Sequence, residues 1–466
     1  MLRLLLPFLF LLPYFVVAQE GTPPPGSDPR LYEIANGASP ERLQKDIQRL
    51  VDFGTRHTLS DTVSQTRGIG AARRWIKSEF DNISKDCGGC LDVNFQRNLV
   101  PAEGNSRIPE DTWVVNVVAV QRGTVYPNRY VIMSGDIDSR VSDPLDGTSD
   151  SPGANDNASG MAGTIEAARM LSKYKFPTSI IYVGLSGEEQ GLFGGKGLAA
   201  KAKEEGWDII GIINNDMIGN IHGIDGVIDN TTFRVFSEPN FIDDGERERI
   251  WRRFYGGEVD GPSRQLARYI DRLTDQYCTN LDAIMIYRLD RFGRGGHHRP
   301  FNDAGFPGVR IMETHENYNR QHQDLRTEDG VAYGDVIEGV DFNYCAKLTG
   351  VNAISLAGLA SAPPPPANLM IGGAVKPSTR LRWDAPKGVE LLTKKGDKLA
   401  GYRVYWRDTT SPVWQYSRFV PAGTTDYTLE KIVVDNFCCG GASVSELGHE
   451  SMVVFPTSLI PRGLNK

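Results

Sequence analysis

Apolar and polar positions along this chain fall into blocks whose period changes. At Ser39-Pro40 a serine suited to capping precedes a proline suited to a first helical turn. Leu43, Ile47, Leu50 and Val51 then share one helical face. Short continuous apolar runs follow at 114–120, 130–133, 180–185, 209–213 and 309–312. Each reads as a strand buried on both faces. Between them Met161, Ile165, Ala168 and Leu171 form a helical stripe after Gly160, and further helices are expected over 263–277 and 344–359. Strands alternating with helices predict an α/β fold, with a mostly parallel mixed sheet flanked by helices.

The pattern changes at Pro363-Pro364-Pro365-Pro366, which reads as a stiff spacer. Beyond it, 381–383, 402–407 and 426–429 alternate apolar with polar residues and are separated by turn residues, which predicts an all-β sandwich. At the other end, Arg3 precedes an apolar run over 4–17 that closes on Val16-Val17-Ala18, the pattern of a secretory signal peptide. The expected organisation is a signal segment over 1–18, an α/β unit over 31–359, a Pro-rich linker over 360–367 and a β-sandwich over 368–460. The Pro/Gly-rich stretch over 19–30 is expected to be disordered.

Composition changes this picture in three ways. The 466 residues, 40% hydrophobic, allow two or three domains with ample core. A net charge of −7 with no basic block argues against nucleic acid as a partner. The run over 4–17 is short for a membrane span and no later one exists, so no stable span is expected and the chain is expected to be secreted or periplasmic. Six cysteines fit an exported chain. Cys87-Gly88-Gly89-Cys90 could close a small disulfide, and Cys278 could pair with Cys345. The adjacent Cys438 and Cys439 should face opposite sides of a strand. Asn82, Asn157 and Asn230 fit the glycosylation pattern.

The candidate chemistry lies at the strand ends. Asp136-Ile137-Asp138 follows one apolar run, Glu188-Glu189 another and Asp216 a third, while Asp156 and His322 sit in polar segments. Open α/β sheets bind ligands at the carboxyl edge of their strands, and carboxylates with a histidine there suggest a metal site for assisted hydrolysis. Taken singly each residue has a duller reading. Glu188-Glu189 could open a solvated helix, Asp156 could serve a turn, Asp216 could cap a helix, and His322 could lie on the surface.

The motifs around these residues carry a resemblance. Residues 153–160 (Gly-Ala-Asn-Asp-Asn-Ala-Ser-Gly), 186–191 (Ser-Gly-Glu-Glu-Gln-Gly) and 215–219 (Asn-Asp-Met-Ile-Gly) make the stretch from about 31 to 359 similar to the M28 family of zinc aminopeptidases. The resemblance implies a zinc exopeptidase type of fold and two zinc ions, with one as the alternative. It implies Asp156 as the bridging carboxylate, Glu189 and His322 as ligands of one zinc, and Asp216 and the residue at Asp136 as ligands of the other. Glu188 would be the general base, Asp138 the acid that orients the ligand at 136, and peptide or protein N-termini the substrates. The C-terminal segment resembles a fibronectin type III module. Oligomeric state is not readable.

The chain departs from the family in two places. The family motif His-x-Asp is here Asp136-Ile137-Asp138, and the usual Asp-His before x-Pro-Phe is here His297-His298. One expectation is compensation, an imidazole lost at 136 and regained at 297; unrelated drift is the alternative. Two other functions stay open. One is a single-zinc glutaminyl cyclase using Asp156, Glu189 and His322. The other is a catalytically impaired M28-like binding protein.

Overall fold

The computed structural model describes residues 23–461 apart from 241, 243 and 395–397. The expected signal segment lies outside the described residues. Three helices come first: α1 (Arg30–Ala35), α2 (Pro40–Val51) and α3 (Gly68–Asp86). Ser39 caps α2 as its sequence predicts, accepting the Arg42 N–H at 3.2 Å with Pro40 in the first turn. Then come β1 (Leu91–Val100), β2 (Thr112–Gln121), β3 (Tyr126–Asp136), α4 (Gly160–Leu171), β4 (Thr178–Leu185), α5 (Phe193–Glu204) and β5 (Asp208–Asn215). The series continues with β6 (Thr232–Ser237), α6 (Glu246–Tyr255), α7 (Pro262–Tyr277), β7 (Asp282–Ile286), α8 (His298–Asp303) and β8 (Gly308–Glu313). A small hairpin, β9 (Arg326–Glu328) and β10 (Val331–Tyr333), precedes α9 (Phe342–Ser361).

The main sheet has eight strands in the order β1-β2-β4-β3-β5-β8-β6-β7. Its centre, β4-β3-β5-β8, is parallel, while β1 and β2 on one side and β6 against β8 on the other are antiparallel. This is the mixed sheet flanked by helices that the strand–helix alternation predicts. The unbroken apolar runs have the expected cause. Val131 and Met133 join one core layer with Met161, Ile165 and Leu348, while Ile132 joins the other with Ile181, Leu198 and Phe301. A strand whose two faces are both covered has no polar side to show.

Seven further strands form two sheets at the C-terminal end. They are β11 (Ala367–Gly372), β12 (Thr379–Asp384), β13 (Leu399–Asp408), β14 (Tyr416–Pro421), β15 (Asp426–Leu429), β16 (Phe437–Ser445) and β17 (Ser458–Leu459), with α10 (Val389–Lys394) between β12 and β13. The sheets are β15-β12-β11-β17 and β14-β13-β16. Trp383, Tyr402, Val404, Val420 and Cys439 fill the space between them.

Some local expectations change. Pro363, Pro364 and Pro366 are buried, so the spacer is packed rather than exposed. Asp28, placed by sequence in a disordered stretch, is buried and pairs with His449 at 3.0 Å. Beside Asp28, α7 meets the same segment, Gln276 donating to the Ser27 hydroxyl at 2.7 Å, and the C-terminal strands rest on this helix as well. There Asp260 lies wholly buried between Arg268 (2.6 Å) and Arg407 (2.7 Å), and the Trp414 indole N–H donates to Gln265 at 3.0 Å. Cys87 and Cys90 form a disulfide, whereas Cys278, Cys345, Cys438 and Cys439 are free. Cys439 points into the sandwich core and Cys438 towards the Gly256 carbonyl, on opposite faces as expected. Among the described residues no helix is long and apolar enough to cross a membrane.

Candidate metal centre

Three adjacent parallel strands end at one edge of the sheet. β3 ends in Asp136 with Asp138 just beyond, β4 leads into Ser186-Gly187-Glu188-Glu189, and β5 leads into Asp216. The loop before α4 adds Asp156, and the segment between β8 and β9 adds His322. Edge placement follows directly from the parallel topology, because every such strand delivers its last residue to the same rim.

Among these acids and His322, one trio converges. Ligand atoms of Asp156, Glu189 and His322 all lie within 4.8 Å of one another. His322 Nε2 lies 2.8 Å from Glu189 Oε1 and 3.1 Å from Asp156 Oδ2. One imidazole nitrogen and two carboxylates are a donor set that suits zinc, with a position left open. The outer atoms of the set are also held, which a metal centre requires. Arg140 donates through Nε to Glu189 Oε2 and through Nη2 to His322 Nδ1, both at 2.8 Å. Gln321 donates to Asp156 Oδ2 at 3.2 Å.

The loop carrying Asp156 is clamped from both sides. The Asp335 carboxylate accepts the backbone N–H groups of Asn155 (2.9 Å) and Asp156 (2.6 Å). Arg56, fully buried, donates to the carbonyls of Gly153 (2.8 Å), Pro152 and, beyond this loop, Ile137 and Leu50. Glu313 accepts both the Asn155 side-chain amide (3.0 Å) and the Asn220 N–H (2.9 Å), joining this loop to the end of β8. Asn157 is buried and donates to Asp136, so its glycosylation pattern has no accessible acceptor.

The other sequence-predicted residues stand outside the trio. Asp136 Oδ1 meets His297 Nδ1 at 2.5 Å, and Oδ2 accepts from Asn157 at 2.7 Å. Asp216 Oδ2 lies 2.9 Å from Arg310 Nη2. Asp138 does not contact the residue at 136 by a hydrogen bond. It accepts the N–H groups of Glu188 and Glu189, each at 3.1 Å, and the Thr58 hydroxyl at 2.9 Å. It therefore orients the Glu188-Glu189 pair rather than its neighbour on β3.

Electrostatics follow from crowding acids in a dry place. Burial, then Glu189, Asp216, Asp136 and Asp138, push Glu188 well above the usual carboxylate range. Burial, with Asp156 and Asp136 nearby, raises Asp216 to about 8 despite Arg310. Burial and Asp138 likewise raise Asp136. Burial lowers His297 to about 4, so it is a neutral imidazole at pH 7. The site thus holds more acid than it can ionise, as expected where a cation belongs.

The sequence reading missed Arg140, Asp335, Glu313, Arg310 and Arg56. Each acts across a long separation, 182 residues for Arg140 to His322 and 180 for Asn155 to Asp335, and none carries a local motif.

Comparison with known proteins gives the family. The family model "Peptidase family M28" matches residues 116–337. A protein of Leptosphaeria maculans named "probable zinc metalloprotease" is 39% identical over 433 residues, covering 93% of this chain and 98% of its own. One of the same name from Pyrenophora teres f. teres is 38% identical over 443 residues, covering 94% and 89%. Among solved structures, the LapA aminopeptidase of Legionella pneumophila superposes with a TM-score of 0.52 at 16% identity, covering 71% of this chain and 75% of that one, which bears on the fold alone. With relatives matched over more than nine-tenths of its length, the chain belongs to peptidase family M28.

Proposed function

We propose that the chain is an exported zinc aminopeptidase, cleaving single residues from peptide N-termini. The observation that carries this is the convergence of Asp156, Glu189 and His322 beside Glu188 at the sheet edge. Bound by that trio, zinc would polarise the scissile carbonyl and lower the pKa of a water molecule. Glu188 would accept a proton from that water and return it to the leaving amine. Asp138, holding the Glu188 and Glu189 N–H groups, keeps base and ligand in register. The signal-like N-terminus supports export, as does the Cys87–Cys90 disulfide. The seven-stranded C-terminal unit over 368–460 is read as a fibronectin type III-like module.

The test uses aminoacyl-nitroanilides and their N-acetylated counterparts on zinc-loaded and chelator-treated protein. Hydrolysis of the free-amine series alone, lost with chelator and restored by zinc, is expected. Inert zinc-loaded protein, or equal cleavage of blocked substrates, would overturn the reading. The single three-ligand set of Asp, Glu and His also fits a glutaminyl cyclase; cyclisation of glutaminyl peptides without nitroanilide hydrolysis would favour it.

A further inference from the structure

We propose that the apolar cavity at the amino edge of the main sheet is a binding site for an acyl chain with a carboxylate head. It is separate from the metal centre, so it stands or falls apart from the hydrolytic reading.

The cavity has a volume of about 1320 Å³ and lies between the start of β5, α6 and the segment that ends in β17. β5 begins there at Asp208 and leads to the metal centre at its other end, eight residues or about 25 Å away. Large pockets walled by aromatic side chains, where two units of a chain meet, are where proteins hold apolar ligands. Trp207, Trp251, Phe306, Phe455 and Leu359 supply much of the wall. Two of these are fixed by the protein itself. The Trp207 ring packs on Tyr130 with centroids 4.9 Å apart, and the Trp251 indole N–H donates to the Pro456 carbonyl at 2.9 Å. Walls held in this way lose little side-chain freedom on binding.

α6 closes one side of the cavity without joining any core. None of its ten residues is buried, and Ile250 and Phe254 are 58% and 78% exposed. Yet Ile250, Trp251, Phe254 and Tyr255 share one side of the helix, and all four line the cavity. An acyl chain laid against them would remove apolar surface from water that the protein alone leaves wet.

Arg129 sets the chemistry of the head. It comes from the start of β3, in register with Asp208 on β5, and its side chain is only 16% exposed. Its Nε is buried with no hydrogen-bond acceptor. Its ion-pair partner, Asp208 Oδ2, stands 3.7 Å off on a side chain 65% exposed, so that charge is largely spent on water. Burial accordingly pulls Arg129 below the ordinary arginine value, with Asp208 opposing. The other charges around the cavity are balanced. Arg252 pairs with Asp244 at 2.8 Å, Asp260 with Arg268 and Arg407, and Arg247 neighbours Glu248. A carboxylate would give the Arg129 Nε the charge-assisted acceptor it lacks, whereas a cationic head would meet an unshielded guanidinium. Aromatic walls and one under-paired arginine together specify a fatty-acid-like ligand.

The test titrates the full chain with cis-parinarate, a fluorescent polyene fatty acid that accepts energy from tryptophan. Trp207 and Trp251 make the cavity its own donor. Saturable transfer at one equivalent per chain, displaced by palmitate and much less well by palmityl alcohol, is expected. Arg129→Gln should weaken parinarate by about tenfold or more while leaving displacement by the alcohol unchanged. Asp208 is mostly solvated, so this variant strands no buried charge. Absence of saturable transfer in the wild type would overturn the proposal without any variant having to fold. Equal affinity for acid and alcohol, or an unaffected Arg129→Gln, would overturn it too. A stable dimer that excludes parinarate would assign the cavity to a second copy of the chain instead. Capture by anionic phospholipid vesicles without binding of the monomeric acid would assign it to a membrane surface.

Discussion

Asp335 is the most direct handle on how the centre is held. Its carboxylate contacts no member of the ligand trio through a side chain, yet it accepts the Asn155 N–H at 2.9 and 3.0 Å and the Asp156 N–H at 2.6 Å. Its own carbonyl accepts the Ala154 N–H at 3.1 Å. Asp335→Asn keeps the shape but leaves one acceptor oxygen for two backbone donors. One buried N–H loses its acceptor, which costs about 1–3 kcal/mol. Some of that strain falls on the Asp156 backbone, so zinc affinity should drop by about 10- to 100-fold, the range for partners that orient a ligand. Competition against a chromophoric chelator measures the affinity, and circular dichroism with thermal melting checks the fold. Wild-type affinity and an unshifted melting midpoint together would refute the idea that this carboxylate sets the geometry of Asp156.

Three other outcomes follow from the same contacts. Glu188→Gln should lower kcat by about 10²- to 10⁴-fold, the usual share of a general base, while leaving zinc content unchanged; equal kcat would remove Glu188 from the mechanism. Asp260→Ala strands the buried guanidiniums of Arg268 and Arg407, so chemical denaturation should show a loss of about 3–5 kcal/mol; an unshifted midpoint would mean that the sandwich docks without this pair. Asp271 is raised to about 7, by burial and then by Asp275 and Asp282. A raised carboxyl contributes its stability below about pH 4 and loses it as pH rises to about 7. Asp271→Asn should therefore gain on the wild type with rising pH, on the order of 2 kcal/mol by pH 8; a pH-independent difference would contradict the shift.

Much of the α/β unit was legible because its strands are buried on both faces and its helices carry clear signals. The Ser39-Pro40 start and the helix over 263–277, observed as Pro262–Tyr277, were read within a residue or so. α3 was passed over although Ile69, Ala72, Ile76, Phe80 and Ile83 form a buried apolar stripe at helical spacing; it lacks a side-chain cap to mark its start. β1 escaped because it is an edge strand, buried fully only at its ends, Leu91 and Val100. At the site, the acids were legible since strand ends and short motifs announce them. Their partners were not. Asp138 sits next to Asp136 in sequence but serves Glu188 and Glu189 fifty residues on. Arg310 is one polar residue inside an apolar strand, and nothing local distinguishes it from an exposed arginine.

The partners explain why ligand positions can be rigid although loops carry them. Asp156 lies in a segment where Gly153 adopts φ +51°, and a Cβ there would come within 2.4 Å of Ser139 Cβ. The backbone can take that path only with glycine, and Arg56 then gathers the carbonyls while Asp335 gathers the N–H groups. Glu189 is fixed in the same way, by Asp138 at its N–H and Arg140 at its carboxylate. Buried charges are costly unless fully paired, and here each is paired with backbone groups of the loops that carry the ligands. The desolvation of Arg56, Asp138 and Asp335 is thus offset by contacts that also order the centre, so the orientation entropy of the ligands is lost on folding rather than on metal binding. For that reason the clamp residues, not only the ligands, should set metal affinity.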